Sequence, residues 1–459
     1  MKSLELQPTY KNLFKTFIDD SIGRNKDIVS FADILNSIND SCAIALDARW
    51  GEGKTFFIKQ TKMILDAFND FIISSNENDK DTIKSYCDRV HRRNPMEYIS
   101  QVSIYYDAWA NDNDEDPVLS LILSIMKNIN LDFSLNQDSD NLTKAAAVLE
   151  FFTGRSYIDL IESFRSDNPL AEIQKDKEID ELIKEFLDSL LEERGDRLVI
   201  FIDELDRCRP DYAVRLLERI KHYFSNDRIT FVFAINSMEL QHTIKKYYGE
   251  SFDASRYLDR FFDLRISLPP ADEMKFYNNI GFSDDNYYYD IMCGAVINNF
   301  NFSLREIAKY VRLTKIAAYK PTHEGGNRFS FSEEKALQFG LYYFIPVMIG
   351  LKIQDISKYE KFVLGKDSTP ITEIVESLNP DWFSQLLSSN ETYDAQENGK
   401  IVVTVIEKVQ QAYKAVFITE YRGRLYSTEI GKCSFQKGLK ENLLKIAGLL
   451  SDFSDINNV

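Results

Sequence analysis

The sequence predicts an α/β domain built on a parallel sheet, followed by a mainly helical region, and three observations carry this. Five short apolar runs, at residues 42–47, 102–106, 198–203, 229–235 and 264–268, are rich in Ile, Val or Phe and flanked by polar segments. Continuous apolar strands of this kind suit a sheet covered on both faces. Helical patterns at 55–68, 117–129 and 212–223 follow the first three of them, and such alternation marks an α/β domain. After Pro269 and Pro270 the strand signals fade, and residues 271–459 read mostly as helices with polar breaks at 323–327 and 388–399. The expected division is therefore a core over 1–270, with a helical insert at about 110–196, and a helical lid and C-terminal region over 271–459.

The first run ends in Leu46-Asp47, and the chain continues Ala48-Arg49-Trp50-Gly51-Glu52-Gly53-Lys54-Thr55 into a helix. The spacing is that of a phosphate-binding loop, GxxxxGK[ST], with Ala48 at the first Gly. The residue types follow from the ligand's charge. Gly51 and Gly53 let the backbone curl so that its N–H groups point at phosphates. Lys54 sets a positive charge at the β/γ-phosphates, Thr55 offers a hydroxyl to Mg²⁺, and the helix N-terminus adds its partial positive charge. Ala48 carries a Cβ and tolerates fewer conformations than Gly, a mild departure. The expected nucleotide contacts are Ala48, Trp50, Gly51, Glu52, Gly53, Lys54, Thr55 and Phe56.

Between the second and third runs, Ile179, Leu182, Ile183, Phe186, Leu187, Leu190 and Leu191 recur at helical spacing among charged residues, an amphipathic helix leading into the third strand. That strand ends in Asp203-Glu204. Carboxylates there lie where ligands bind in open α/β sheets. Asp203 is expected to hold Mg²⁺ through water, and Glu204 to accept a proton from, or orient, an attacking water. The plainer alternative makes both of them N-caps or surface carboxylates of the next helix. An Asp-Glu pair favours a water-activating ATPase over a GTPase switch. The fourth run ends in Asn236, which either reaches the γ-phosphate or lytic water, or caps a local turn.

Composition sets limits. The chain has 459 residues, with 44% hydrophobic and 28% charged, so it can build large cores. A net charge of −17 argues against wide binding to nucleic acid or anionic lipid; the trio Arg89, Arg92 and Arg93 reads as a solvated face. Cys42, Cys87, Cys208, Cys293 and Cys433 are scattered and never spaced as CxxC, which argues against disulfides or zinc and suits a reducing cytoplasm. The N-terminus lacks a signal-peptide h-region. The most apolar run, 336–351, is short of a bilayer span and reads as a buried core helix, so no transmembrane segment is expected.

These motifs together resemble the KAP family of P-loop NTPases, a branch of the additional-strand ATPases. The likeness runs over about 15–315: a lead-in at 20–35, the Trp50-Gly51 pair, Tyr105-Tyr106-Asp107-Ala108-Trp109 followed by Asp116-Pro117, and above all Asp203-Glu204-Leu205-Asp206-Arg207-Cys208. Asp107 stands where the family has Asn, and Glu204 where it has Asp. Tyr257-Leu258-Asp259-Arg260 and Leu268-Pro269-Pro270 resemble its closing strand. The resemblance implies a five-stranded parallel sheet of order 5-1-4-3-2, a helical lid, and ATP with Mg²⁺ as cofactors. It also implies cationic candidates: Arg256 and Arg260 as arginine fingers and Arg305 as a sensor arginine, against the plain reading of surface ion pairs. Asp206 and Arg207 are expected to pair with each other; for Trp50 and Trp109 core packing is the preferred reading, with packing on each other or on the nucleotide as the alternative. The implied function is an ATP-driven switch, linked in prokaryotic relatives to defence against phage or mobile elements with partner proteins or by self-association through the helical regions. A non-hydrolysing nucleotide-dependent scaffold is the alternative, and a small-molecule kinase is disfavoured by the acidic string.

Overall fold

The computed structural model describes residues 6–71, 77–91, 97–128, 179–223, 226–281, 287–319, 332–378, 405–422 and 426–448. Gln7–Asp272 form one compact unit and Glu273–Val459 another. In the first, the strands are β1 (Cys42–Asp47), β2 (Gln101–Asp107), β3 (Arg197–Asp203), β4 (Ile229–Ile235) and β5 (Leu264–Ser267). They pair in the order β2-β3-β4-β1-β5, every pair parallel. This is the expected order, and it sets β4 between the strand carrying the phosphate loop and the strand carrying the acidic pair.

Strand side chains alternate between faces, so one sheet needs two apolar cores. On β3, Leu198, Ile200 and Ile202 join one core and Val199 and Phe201 the other; on β1, Ala45 joins the first and Ile44 and Leu46 the second. Helices α1 (Tyr10–Ile18), α2 (Asn25–Ser37), α3 (Lys54–Phe68) and α4 (Glu77–His91) cover one face through Phe17, Phe31, Ile64 and Cys87. The other is covered by α5 (Pro117–Asn128), α6 (Ile179–Arg194), α7 (Pro210–Tyr223) and α8 (Ser237–Tyr248), through Ile122, Phe186, Leu217 and Leu240. Each fully buried Leu, Ile or Phe contributes on the order of 1.5–3 kcal/mol. A short helix α9 (Ala254–Leu258) precedes β5. The amphipathic helix expected before β3 is α6. The rest of the expected insert, 129–178, lies outside the described residues, as do Arg92, Arg93 and the polar breaks at 323–327 and 388–399.

In the second unit, helices surround an aromatic core that includes Phe339, Phe344, Phe362, Tyr413, Phe417 and Phe435. Lys335–Gln354 has the length and composition of a membrane span, yet 72% of its apolar window is buried inside the protein, which is how a core helix behaves. The unit also holds an antiparallel hairpin, Ser427–Ile430 with Cys433–Gln436, in a region expected to be mainly helical. Its strands have four residues each and turn at Gly431, whose φ of 59° suits the first central position of a type II′ turn.

Candidate active site

The site forms where β1, β3 and β4 end. Ala48 N–H donates to Ile235 O at 3.1 Å, Leu268 N–H donates to Asp47 O at 2.9 Å, and the Asp47 carboxylate accepts from Ser237 N–H at 2.8 Å. The start of the loop is thus fixed between β4, β5 and the first residue of α8. Gly51 and Gly53 have φ of 85° and 88°, a conformation costing L-residues roughly 1–2 kcal/mol, so both glycines are structurally required. Gly53 is the N-cap of α3. Lys54 follows, 8% exposed, and its Nζ donates to Ala48 O at 2.8 Å and Arg49 O at 3.2 Å. Burial holds its pKa below the ordinary lysine value, while the charges of Asp206, Asp203 and Glu204 pull it upward. Ala48 and the Phe56 ring pack against the core under α3.

Thr55 Oγ1 donates to Asp203 Oδ2 at 2.6 Å, which joins the phosphate loop to the acidic strand. The same oxygen accepts from Tyr105 Oη at 3.0 Å, and Asp203 Oδ1 accepts from Glu204 N–H at 3.0 Å. Asp203 is fully buried. Burial raises its pKa, opposed by the hydrogen bonds from Thr55 and Tyr105. Glu204 has a φ of 60°, uncommon for a non-glycine residue and a strain of order 1–3 kcal/mol of the kind that gathers at functional sites. Its carboxyl pKa is pushed up to about 7, first by burial and then by the Asp203 charge, with Arg207 opposing. A base poised near neutrality is what proton abstraction from water requires.

Two expectations are corrected beside Glu204. Arg207 does not pair with Asp206: its Nε lies 2.5 Å from Glu204 Oε2, and Asp206 Oδ2 instead accepts from Trp50 Nε1 at 2.5 Å. Glu204 opens a 3-10 turn, Leu205–Arg207, whose three residues per turn set position 207 over position 204. Nor are Trp50 and Trp109 core residues. They are 43% and 52% exposed, and the Arg207 guanidinium lies 5.5 and 5.6 Å from their ring centroids. A planar cation stacks on indole faces without leaving water altogether, so burying the rings is not the favoured arrangement.

The remaining candidates spread out. Asn236 is the N-cap of α8, its side chain accepting from Glu239 N–H at 3.5 Å. Arg256 and Arg260 lie before β5, at the opposite end of the sheet from the loop; both are exposed. Arg260 lines a cavity of about 240 Å³ with Cys42, Lys221, Phe231 and Asp263, and its carbonyl accepts from Lys221. A strand rises ~3.3 Å per residue, so the length of β1 separates Arg260 from Lys54 by roughly 15–20 Å. Within one chain it does not reach the phosphate site. Arg305 sits in the first turn of Leu304–Thr314, in the second unit, behind a Ser303–Glu306 capping box.

Two side chains escaped the sequence reading. Tyr105 donates to Asp203 and carries Lys59 Nζ 3.9 Å above its ring. Arg24, 4% exposed, donates from Nη1 to Glu52 O at 2.5 Å and so braces the loop; burial pulls its pKa down to about 10. A tyrosine near the end of an otherwise apolar strand and an arginine in the lead-in were the available signals.

Thr55 and Asp203 supply two hard oxygen donors in contact with each other. Mg²⁺ is bound through few protein oxygens, with waters and substrate phosphates completing its octahedron, so these residues fit it. Among the described residues no group of three or more His, Cys, Asp or Glu side chains is arranged as a metal site.

A family model described as the KAP family P-loop domain matches residues 24–286. Over 76 residues the chain is 34% identical to an uncharacterized protein of Methanocaldococcus jannaschii, a stretch that is 16% of this chain and 39% of that one. The chain thus spans well under half the length of that relative. Among solved structures, the ORC2 protein of Aeropyrum pernix, in ADPNP-ADP complexes, aligns over 93% of both chains at 10% identity with a TM-score of 0.33.

Proposed function

The chain belongs to the KAP family of P-loop domains, and from that premise we propose that it binds ATP with Mg²⁺ and hydrolyses it to drive a conformational switch. Nucleotide binding at the P-loop is the general property of the domain; ATP, the metal, hydrolysis and the switch are the finer reading. One observation carries it: the 2.6 Å hydrogen bond from Thr55 to Asp203, which puts a phosphate loop and a buried carboxylate in one site with Glu204 beside them. On this reading Lys54 exchanges the carbonyls of Ala48 and Arg49 for β/γ-phosphate oxygens. The N–H groups of the loop around Gly51 and Gly53 bind the remaining phosphate oxygens. Thr55 and Asp203 would hold Mg²⁺, which would supply positive charge against the transferring phosphoryl group. Glu204 takes the proton of the attacking water, and Asn236 orients that water from the end of β4. Arg260 serves a phosphate only across an interface with a second copy, which ties its role, and that of Arg256, to self-association; Arg305 is the candidate lid arginine. Phosphate release on ATP-Mg²⁺ by wild type, Lys54→Ala and Glu204→Gln tests the chemistry. Turnover in wild type lost in both variants, with ATP still bound by Glu204→Gln, is the expected outcome; equal release by all three contradicts it.

The scaffold reading is favoured by one observation, the engagement of Glu204 by Arg207 at 2.5 Å. It prevails if purified wild type binds ATP but releases no phosphate even with partners and nucleic acid added. A cytoplasmic role in defence against phage or mobile elements, with protein partners, rests on family analogy, and five free cysteines suit that compartment. Unchanged phage sensitivity of a Lys54→Ala strain across a broad panel would remove it.

A further inference from the structure

The phosphate loop is held from outside by a side chain that the loop's own motif does not include. Arg24, buried in the turn between α1 and α2, donates from Nη1 to Glu52 O at 2.5 Å. The turn fixes its position from both sides. Asp20 and Gly23 take φ of 47° and 73°, and Gly23 N–H donates to Asp20 O at 3.1 Å. Asp20 Oδ1 accepts from Asn25 N–H at 3.2 Å, and Asp272 N–H, at the close of the first unit, donates to Ile22 O at 3.0 Å. Arg24 Nε is buried without a partner. An apolar side chain would fill the space without that cost, so what the guanidinium adds is its bond to Glu52. Glu52 lies between Gly51 and Gly53, both at left-handed φ. Glycine backbones turn at little steric cost, so the peptide joining 52 to 53 depends on an outside contact to fix it. That peptide is trans, and in a planar trans peptide the C=O and N–H point in opposite directions. Holding the Glu52 carbonyl therefore aims the Gly53 N–H away from Arg24. Among the described residues that N–H has no acceptor.

We propose that Arg24 is a positioning residue for phosphate binding: by holding the Glu52 carbonyl it turns the Gly53 N–H towards the α/β-phosphates of a bound nucleotide. The proposal rests on the reading of the loop as a nucleotide site and not on hydrolysis. Backbone N–H groups of such a loop are the donors that cradle the α/β-phosphates. The guanidinium stays behind the loop and meets neither base nor phosphate, so its effect on a ligand passes through one peptide group. Every ligand that carries a diphosphate should feel its loss alike. Lys54, aimed at the β/γ-phosphates, should by contrast separate ATP from ADP.

The test is equilibrium binding of inorganic pyrophosphate, ADP and ATP to the full chain, read by titration calorimetry beside thermal melts. Arg24→Met fills the same space without a donor. It should weaken all three ligands by a common factor of about ten, the scale of one hydrogen bond to a charged group. Arg24→Lys keeps a cationic donor and should bind all three within about threefold of wild type. A residue that merely stabilises the turn would lower the melting temperature and leave the affinities of Arg24→Met unchanged, and that result would overturn the proposal. So would a loss for ADP and ATP but not for pyrophosphate, because Arg24 would then contact the nucleoside. A loss confined to ATP would overturn it by placing Arg24 at the γ-phosphate, and Arg24→Lys as weak as Arg24→Met would do so by showing that the donor is not what matters. Should Arg24→Met fail to fold, Arg24→Gln takes its place with the same expected loss, since its amide is about two bonds short of Nη1 and does not reach Glu52. Wild type that binds the three ligands but releases no phosphate from ATP sinks the ATPase reading alone, and the variants still decide the role of Arg24. Wild type that binds none of them overturns both.

Discussion

The two ends of the central sheet use buried cations differently. At the end where β1 starts, Arg197 is 5% exposed and donates from Nη1 to Asn39 O and from Nη2 to Asp40 O, both at 2.7 Å. At the phosphate end, Lys54 is 8% exposed and likewise donates to two backbone carbonyls. Burial lowers the pKa of both. The difference lies in the neighbours. Arg197 ties down the segment that leads into β1, whereas Lys54 faces Asp203, Glu204 and Asp206; burial raises the pKa of Asp203 and of Glu204, helped by Asp107 at the first and by Asp203 at the second. Burial of a charge alone therefore does not mark a site; a buried cation beside several adjacent carboxylates does, because such a cluster is costly until a ligand rearranges it.

Substitutions break or sharpen this contrast. Lys54→Ala should have the largest effect, a loss of ~10²–10³-fold in turnover with weakened nucleotide binding, since it removes the charge aimed at the transferring group; steady-state kinetics with equilibrium binding checks it. Tyr105→Phe should weaken the Mg²⁺ dependence by ~10–100-fold, the usual penalty for losing a group that orients a metal-holding carboxylate, read as a shift in the Mg²⁺ titration of ATP binding. Arg197→Ala should do the reverse of Lys54→Ala: a cost of about 1–3 kcal/mol in unfolding free energy, from carbonyls left unsatisfied, with kcat unchanged in the folded protein. Denaturant melts beside activity assays separate the two.

A smaller effect follows from Glu204. Its folded pKa of about 7 is above the ordinary 4.5, so the folded state favours the protonated acid. The stability this contributes is present in full below pH 4.5 and is lost as pH rises through 7. Glu204→Gln should therefore melt higher than wild type above pH 7, with the gain vanishing towards pH 4.5. The smallest effect is expected for Ala48→Gly, within about twofold in turnover. Ala48 does not lie at a left-handed position, unlike Gly51 and Gly53, so a glycine there relieves nothing.

The sheet was legible in the sequence because parallel strands buried on both faces leave unbroken apolar runs, and Leu198–Ile202 or Ile229–Ile235 fit nothing else between polar segments. That Lys54, Thr55, Asp203 and Glu204 lie together was legible because the phosphate-loop spacing follows one apolar run and the acidic pair ends another, and the two strands end on the same side of a parallel sheet. What the spacing does not encode is who meets whom. Asp206 and Arg207 are neighbours in sequence, yet a 3-10 turn sends the arginine back to Glu204 and leaves Asp206 for Trp50. Trp50 and Trp109 are far apart in sequence, and only the fold brings them to one guanidinium. Tyr105 reads as one more strand residue until β2 is paired with β3. The hairpin at Ser427–Gln436 escaped because four-residue strands carry too little alternation to stand out among helices.

The central claim is that Thr55, Asp203 and Glu204 form one hydrolytic centre above the phosphate loop. Its most direct test is a pair of measurements on wild type and Glu204→Gln: ATP-Mg²⁺ affinity at equilibrium and phosphate release in a single turnover. The account predicts affinities within a few-fold of each other and release slowed ~10²–10⁴-fold in the variant, the range for loss of a general base. Equal rates of release in the two proteins would contradict it.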